Sequence, residues 1–169
     1  ILRRRHRDFS FWGSFPTDRQ SGGVVVGLSE RLLRGSTDCL FRDFGDSDEN
    51  FRGRACAVKV LFPNSSMEFL SVHVDPAWTR QQTKIFWRFL RSRPHPPATF
   101  LLGDWNFVHS DETRVKVAAG TCAPQAGGLN ADFENILDDL TEIYRPDFTR
   151  KGGKGNETGI LSRLDRCYS

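Results

Sequence analysis

Short apolar runs alternate with polar segments along the chain, and most of the runs have the length and composition of β-strands. Residues 22–28 form a β-branched run bounded by glycines, which is typical of a strand buried on both faces. Residues 55–62 and 67–74 are two further β-like runs, and the Pro-Asn-Ser-Ser segment between them contains turn formers. We therefore predict a core strand followed by an antiparallel hairpin.

Polar segments separate these runs. Residues 34–54 are rich in Gly, Ser, Asp and Arg and predict a connection around a weak strand at 39–44. Residues 151–159 contain four glycines and predict a surface loop. A short apolar strand is expected at 99–102, and a last strand at 159–169.

Two segments have helical spacing. Thr79 and Gln82 form a capping box, and Pro94 prevents continuation, so we predict a helix over residues 79–93. Its apolar positions are Ile85, Phe86, Phe89 and Leu90. Asn130 can cap a second helix over 130–140. Its apolar positions are Phe133, Ile136, Leu137 and Leu140.

These elements predict the fold class. Several strands are too apolar to have one face in water, and two amphipathic helices need a sheet surface to cover. We expect one α/β domain over residues 1–169, a four-layer sandwich of two facing mixed β-sheets with outer helices. The chain begins at Ile1, and its last strand ends without a turn or cap, so we expect the domain to be incomplete at both ends.

Composition changes this picture little. Hydrophobic residues make up 38% of the chain, enough for a packed core, and the net charge is only +3. The basic cluster at residues 3–7 can contact phosphates, but such a cluster is more often a solvated or frayed terminus. The four cysteines are scattered and lack zinc-ligand spacing. No apolar run has the length of a membrane span, which favours an intracellular protein, while the oligomeric state is not indicated.

The first candidate for chemistry is Gly103-Asp104-Trp105-Asn106. Asp104 and Asn106 are two residues apart, so in extended chain their side chains emerge on the same side and can share one ligand. A hard cation such as Mg²⁺ or Mn²⁺ suits these oxygen donors together with a substrate phosphate. Gly103 is expected to let the chain turn. The alternative is a strand that ends in turn formers.

His73 is the second candidate. Leu70, Val72 and Val74 mark one face of a strand and place His73 on the other face. At a strand end near a phosphate, this imidazole can donate a proton or stabilise charge on phosphoryl oxygens. A structural histidine is the alternative. His95 and His109 are expected not to be catalytic.

Asp165 is the third candidate, within Ser162-Arg163-Leu164-Asp165-Arg166. A carboxylate at the start of a strand can orient an imidazole, as in an acid–base dyad. Because arginines flank it, a surface ion pair is the alternative.

Taken in order, these pieces resemble the endonuclease/exonuclease/phosphatase superfamily over residues 21–169. The motifs that carry the resemblance are the Gly-Gly-Val-Val strand, Gly53-Arg54-Ala55, Ser71-Val72-His73, Gly103-Asp104-Trp105-Asn106, Phe148-Thr149 and Ser162-Arg163-Leu164-Asp165.

The resemblance implies a metal-dependent phosphodiester hydrolase. Asp104 would contact the metal-bound water or phosphate, and Asn106 would orient the phosphate beside the metal. His73 matches a catalytic His of members similar to deoxyribonuclease I, and Asp165 matches the Asp that steadies the final catalytic His. A nuclease acting on nucleic acid is favoured, and Phe148-Thr149-Arg150 is similar to the corresponding stretch of non-LTR retrotransposon endonucleases. The alternatives are a phosphatase or phospholipid phosphodiesterase, a non-catalytic remnant, and an unrelated α/β binding domain.

Two departures from the superfamily pattern affect the expected activity. Residues 1–20 hold no convincing equivalent of the family's early Asn and metal-binding Glu, and no Asp-His motif follows the last strand. We therefore expect weak metal binding and poor catalysis by the isolated chain. Trp105 replaces the usual Phe and keeps an aromatic side chain there.

Overall fold

A computed structural model describes residues 6–17, 22–93 and 98–105, together with the backbone of five later strands. The first strands are β1 (Phe9–Ser14), β2 (Val24–Ser29), β3 (Asp38–Asp43), β4 (Ala55–Phe62), β5 (Ser65–His73) and β6 (Ala98–Asp104). The later strands are β7 (Thr113–Ala118), β8 (Thr121–Ala126), β9 (Arg150–Gly152), β10 (Thr158–Ser162) and β11 (Asp165–Tyr168). The helices are α1 (Glu30–Leu33) and α2 (Arg80–Arg91), and 3-10 turns lie at Phe44–Asp46 and Glu49–Phe51.

The described strands form a five-stranded sheet in the order β11-β6-β5-β4-β3, a four-stranded sheet in the order β8-β7-β10-β9, and the pair β1-β2. In the five-stranded sheet, β3, β4 and β5 are antiparallel neighbours, and β6 runs parallel to β5. Helix α2 lies between β5 and β6 in the sequence and makes the crossover that a parallel pair requires. Phe62 pairs with Ser65, so a two-residue turn joins β4 to β5 and the predicted hairpin is confirmed.

Helix α2 begins where its capping box predicts. The Thr79 hydroxyl accepts from the backbone N–H of Gln82 at 3.3 Å, and the Gln82 side chain accepts from the backbone N–H of Thr79 at 2.9 Å. The buried face was predicted less well. Trp87 is buried and Ile85 is 45% exposed, because the sheet meets the helix along the line of Phe86, Trp87 and Leu90.

Strand β4 separates two cores, which is why it reads as a continuous apolar run. Ala55 and Ala57 face α2, where they join Leu70, Val72 and Val74 with the aromatic residues Phe44, Phe51, Phe86, Trp87 and Trp105. Cys56, Val58 and Val60 face the β1-β2 pair, where they join Val24, Val26 and Leu28. We call these two sides of the sheet the helix side and the hairpin side.

The chain is therefore an α/β sandwich, as predicted, with β1-β2 against one face of the five-stranded sheet and α2 against the other. The helix predicted at 130–140 lies outside the described residues. Within the described part of the chain, no helix has the length and apolar character needed to cross a membrane.

Three local predictions need correction. The last strand predicted at 159–169 is two strands, β10 in the four-stranded sheet and β11 in the five-stranded sheet. The glycine-rich loop predicted at 151–159 contributes to β9 and β10 at its ends. Strand β1 was not predicted. Strands β10 and β11 pair with the distant strands β7 and β6, and local composition does not encode such pairing.

Candidate active site at the ends of β5 and β6

Three of the four candidate site residues lie side by side in the five-stranded sheet. His73 is in parallel register with Asp104, and Asp104 is in antiparallel register with Asp165. The backbone N–H of Val74 donates to the Asp104 carbonyl at 2.9 Å and holds the two strand ends together. Because neighbouring strands are about 4.8 Å apart, the row from His73 to Asp165 spans roughly 10 Å.

His73 and Asp104 both lie on the hairpin side. Side chains alternate along a strand, and Val72 before His73 and Trp105 after Asp104 belong to the core on the helix side. Both residues are partly exposed. The two functional groups therefore emerge from the same face of the five-stranded sheet.

Arg54 positions the His73 ring. The Arg54 Nη1 atom is 3.0 Å from His73 Nδ1, and the backbone N–H of His73 donates to the Arg54 carbonyl at 2.8 Å. The second Arg54 nitrogen, Nη2, forms an ion pair with Asp75 Oδ2 at 2.5 Å. Asp75 is itself held by the backbone N–H of Ala77 at 2.8 Å. The side chains of Arg54 and Asp75 are only 16% and 19% exposed, so the contact is shielded from water.

The Arg54 contact determines which imidazole nitrogen carries hydrogen. A guanidinium group has donors and no acceptor, so Nδ1 must be the acceptor in this geometry. The ring hydrogen then lies on Nε2. His73 therefore offers an Nε2–H donor, which is suited to a hydrogen bond with a phosphoryl oxygen.

Gly103 serves a purpose other than the predicted turn. It lies inside β6, and a Cβ atom added to it would be 2.0 Å from the Val72 carbonyl oxygen. Glycine is needed here because the backbones of β5 and β6 approach closely beside the site. Trp105 follows Asp104, is fully buried, and stacks on Trp87 with 5.5 Å between ring centroids. This stacking anchors the chain directly after the Asp104 carboxylate.

A scan against protein-family models and a search of curated protein sequences give no match. Solved structures do match. The endonuclease domain of TRAS1, a telomere-specific non-LTR retrotransposon, has a TM-score of 0.60 and 11% sequence identity, over 96% of this chain and 67% of that chain. D. rerio TDP2 complexed with a single-strand DNA product has a TM-score of 0.51 and 10% identity, over 99% of this chain and 64% of that chain. The chain has the endonuclease/exonuclease/phosphatase fold.

At identities of 10–11%, the likeness is one of fold. The chain spans about two thirds of the length of each of these structures, at 67% and 64%. The endonuclease/exonuclease/phosphatase fold thus agrees with the resemblance of the motifs. The catalytic roles of His73, Asp104, Asn106 and Asp165 stay predictions.

The described residues do not form a metal site by themselves. Among them, no group of three or more His, Cys, Asp or Glu side chains is placed to hold an ion. Asp104 is one oxygen donor at the row, and the nearby Asp75 carboxylate is bound to Arg54. Asn106, the other predicted ligand, lies outside the described residues. The residues at hand therefore fall short of the ligand set that Mg²⁺ needs.

Sequence reasoning gave no role to Arg54 and Asp75. Arg54 entered only as part of the Gly53-Arg54-Ala55 motif, and Asp75 carried no prediction. The contact among the three side chains depends on the register of β4 against β5, where Ala55 pairs with Val72. That register brings Arg54, which precedes β4, next to His73, so a prediction of the hairpin register would have revealed their contact.

Proposed function

We propose that this chain is a metal-dependent phosphodiester hydrolase domain, and that it is a nuclease of the retrotransposon-endonuclease type. The observation that carries the proposal is the row formed by His73, Asp104 and Asp165 at one edge of the five-stranded sheet. The endonuclease/exonuclease/phosphatase fold supports it, since one structural neighbour is a retrotransposon endonuclease domain.

In this proposal the side chains of the row act on a phosphodiester. Asp104 accepts a hydrogen bond from the attacking water, as a carboxylate at hydrogen-bonding distance can. His73 donates from Nε2 to a phosphoryl oxygen, and Arg54 keeps the ring in that orientation. The register of Asp165 with Asp104 supports the inclusion of Asp165 in the proposed site. Asn106 keeps its proposed role of orienting the phosphate.

Nucleic acid is the proposed substrate. TDP2, the second structural neighbour, was solved with a single-strand DNA product. The cation of the proposal is Mg²⁺ or Mn²⁺, with Asp104 and Asn106 as its protein ligands. So few ligands predict weak binding, because a Mg²⁺ site of this kind depends on carboxylates and substrate phosphates together.

The test is cleavage of supercoiled plasmid and of a single-stranded oligonucleotide by the purified chain. Reactions contain Mg²⁺, Mn²⁺ or EDTA. The variants are Asp104→Asn and His73→Gln, and the matched control is Asp8→Asn, which removes an exposed carboxylate away from the row.

We expect cation-dependent cleavage that requires high cation concentrations. Cleavage should fall by a factor of about 10² to 10⁴ in His73→Gln, the usual loss for an acid–base or hydrogen-bonding group. It should be abolished in Asp104→Asn and unchanged in Asp8→Asn. Cleavage that Asp104→Asn leaves intact would contradict the site. Absence of cleavage at every cation concentration, by a folded protein, would favour the non-catalytic alternative.

A further inference from the structure

A cavity lies on the helix side of the five-stranded sheet. It has a volume of about 280 Å³, and its lining includes Leu40, Arg42, Lys59, Glu68 and Arg93. Leu40, Lys59 and Glu68 form one cross-strand row over β3, β4 and β5. Arg93 follows the end of helix α2 and belongs to the lining of the cavity.

The cavity is distinct from the His73–Asp104 row. Glu68 and His73 are five residues apart on β5, which is about 16 Å of strand. They also lie on opposite faces, because Glu68 alternates with Leu70 and Val72 on the helix side. A small ligand in this cavity cannot contact both places.

Arg93 is the buried cation of this cavity. Its side chain is 9% exposed, its Nη2 donates to Glu68 Oε1 at 2.9 Å, and its guanidinium carbon lies 4.2 Å from the centroid of the Phe44 ring. These two contacts hold the guanidinium group in place. Within the described residues, the buried Nε and Nη1 atoms have no hydrogen-bond acceptor. Buried donors of this kind are costly to leave without a partner.

Positive charge exceeds negative charge in the lining. Arg42, Lys59 and Arg93 stand against Glu68, and neither Arg42 nor Lys59 forms an ion pair with a described residue. Burial lowers the pKa of Arg93, Glu68 raises it, and the charge of Arg42 lowers it again. Arg93 and Arg42 therefore repel each other, and an anion placed between them would reduce that repulsion.

We propose that this cavity binds a phosphate group. Its oxygens are acceptors in several directions, and a cluster of arginine and lysine donors is the usual protein site for such a group. A cavity of about 280 Å³ is just below the range of small-molecule pockets, so it accommodates one phosphate group and a small part of the molecule that carries it. Arg42 and Lys59 contact the anion from the strands, and Arg93 forms the floor. This binding is independent of the proposed hydrolysis.

The test uses the full chain and removes the two accessible cations. The variant Arg42→Gln/Lys59→Gln leaves the buried Arg93–Glu68 pair intact, so it is expected to fold. The matched control is Arg31→Gln/Arg34→Gln, which removes two exposed arginines, one in α1 and one directly after it. Inorganic phosphate and a short single-stranded oligonucleotide are titrated separately by calorimetry, with chloride keeping the ionic strength constant.

We expect saturable binding of phosphate by the wild type and the control, and an affinity at least about tenfold lower in Arg42→Gln/Lys59→Gln. If the oligonucleotide binds more tightly than phosphate and shows the same loss, the phosphate belongs to a nucleic-acid backbone; if not, it belongs to a small molecule. Equal titrations of all three proteins with both probes would overturn the proposal and leave water as the partner of Arg93.

Discussion

Replacing Gly103 with alanine tests the close approach of β5 and β6 beside Asp104. The added Cβ would lie 2.0 Å from the Val72 carbonyl oxygen, 2.7 Å from Val72 Cγ2 and 2.8 Å from the Val72 carbonyl carbon. Ordinary van der Waals contacts to a Cβ are 3.4–4 Å. The two strands would have to separate by more than an ångström.

Two of these three contacts are to backbone atoms of Val72, so rotation of the Val72 side chain cannot relieve the clash. Overpacking a core typically costs about 1–3 kcal/mol, and we expect Gly103→Ala to reach the upper end, about 3 kcal/mol. For a chain of this size, that loss lowers Tm by roughly 6–12 °C. The separation would also move Asp104 away from His73, so any catalytic activity should fall further than the loss of folded protein explains.

Urea denaturation followed by tryptophan fluorescence measures this loss, because Trp87 and Trp105 are buried and stacked on each other. The matched control is Gly22→Ala. No atom lies within 4 Å of a Cβ at Gly22, so this change should be neutral or stabilise the protein slightly. If the two variants unfold at the same urea concentration, the strands do not approach as closely as described.

Three further predictions concern stability. Burial raises the pKa of the Cys56 thiol from 9.0 to about 11, so the thiol of the unfolded chain loses its proton at lower pH than the thiol of the folded chain. As the pH rises from 9 to 11, the wild type should therefore lose up to about 3 kcal/mol more stability than Cys56→Ala. Equal slopes of stability against pH for the two proteins in urea titrations would contradict this. Thr79→Ala removes the cap of α2 and should cost about 1 kcal/mol by the same measurement, whereas an unchanged midpoint would mean that the cap is unimportant. Arg93→Leu leaves the Glu68 carboxylate buried without its cation and should cost about 3–5 kcal/mol of stability. Adding Glu68→Leu should restore most of this loss, whereas additive losses in the double-mutant cycle would argue against a coupled pair.

Elements with local signals could be predicted from the sequence. Turn formers separate two β-like runs at β4 and β5, and the capping box with Pro94 bounds α2, so these elements are close to where they were expected. The alternation of Leu70, Val72 and Val74 is also a local signal, and it placed His73 on the correct side of β5.

Features that depend on distant partners could not be predicted in this way. The crossing of the chain from β10 to β11, and thus from one sheet to another, leaves no mark in the apolar content of residues 159–169. The burial of Trp87 in place of Ile85 depends on where the sheet meets α2. The contact between Arg54 and His73 depends on the register of β4 against β5. The need for glycine at position 103 follows only from the closeness of the Val72 backbone.

The pairing of β11 with β6 determines the order in which the domain is completed during synthesis. Strands β3 to β6 are neighbours both in the sequence and in the sheet, so they can pair as they emerge, whereas β11 follows β6 by about sixty residues. At a translation rate of about 5–20 residues per second, the outer edge of β6 stays unpaired for roughly 3–12 s until β11 has been synthesised. During that interval His73 and Asp104 are already adjacent, while the backbone groups along β6 are open to strands of other nascent chains. Asp165 is therefore the last member of the row to emerge and reach its place beside Asp104.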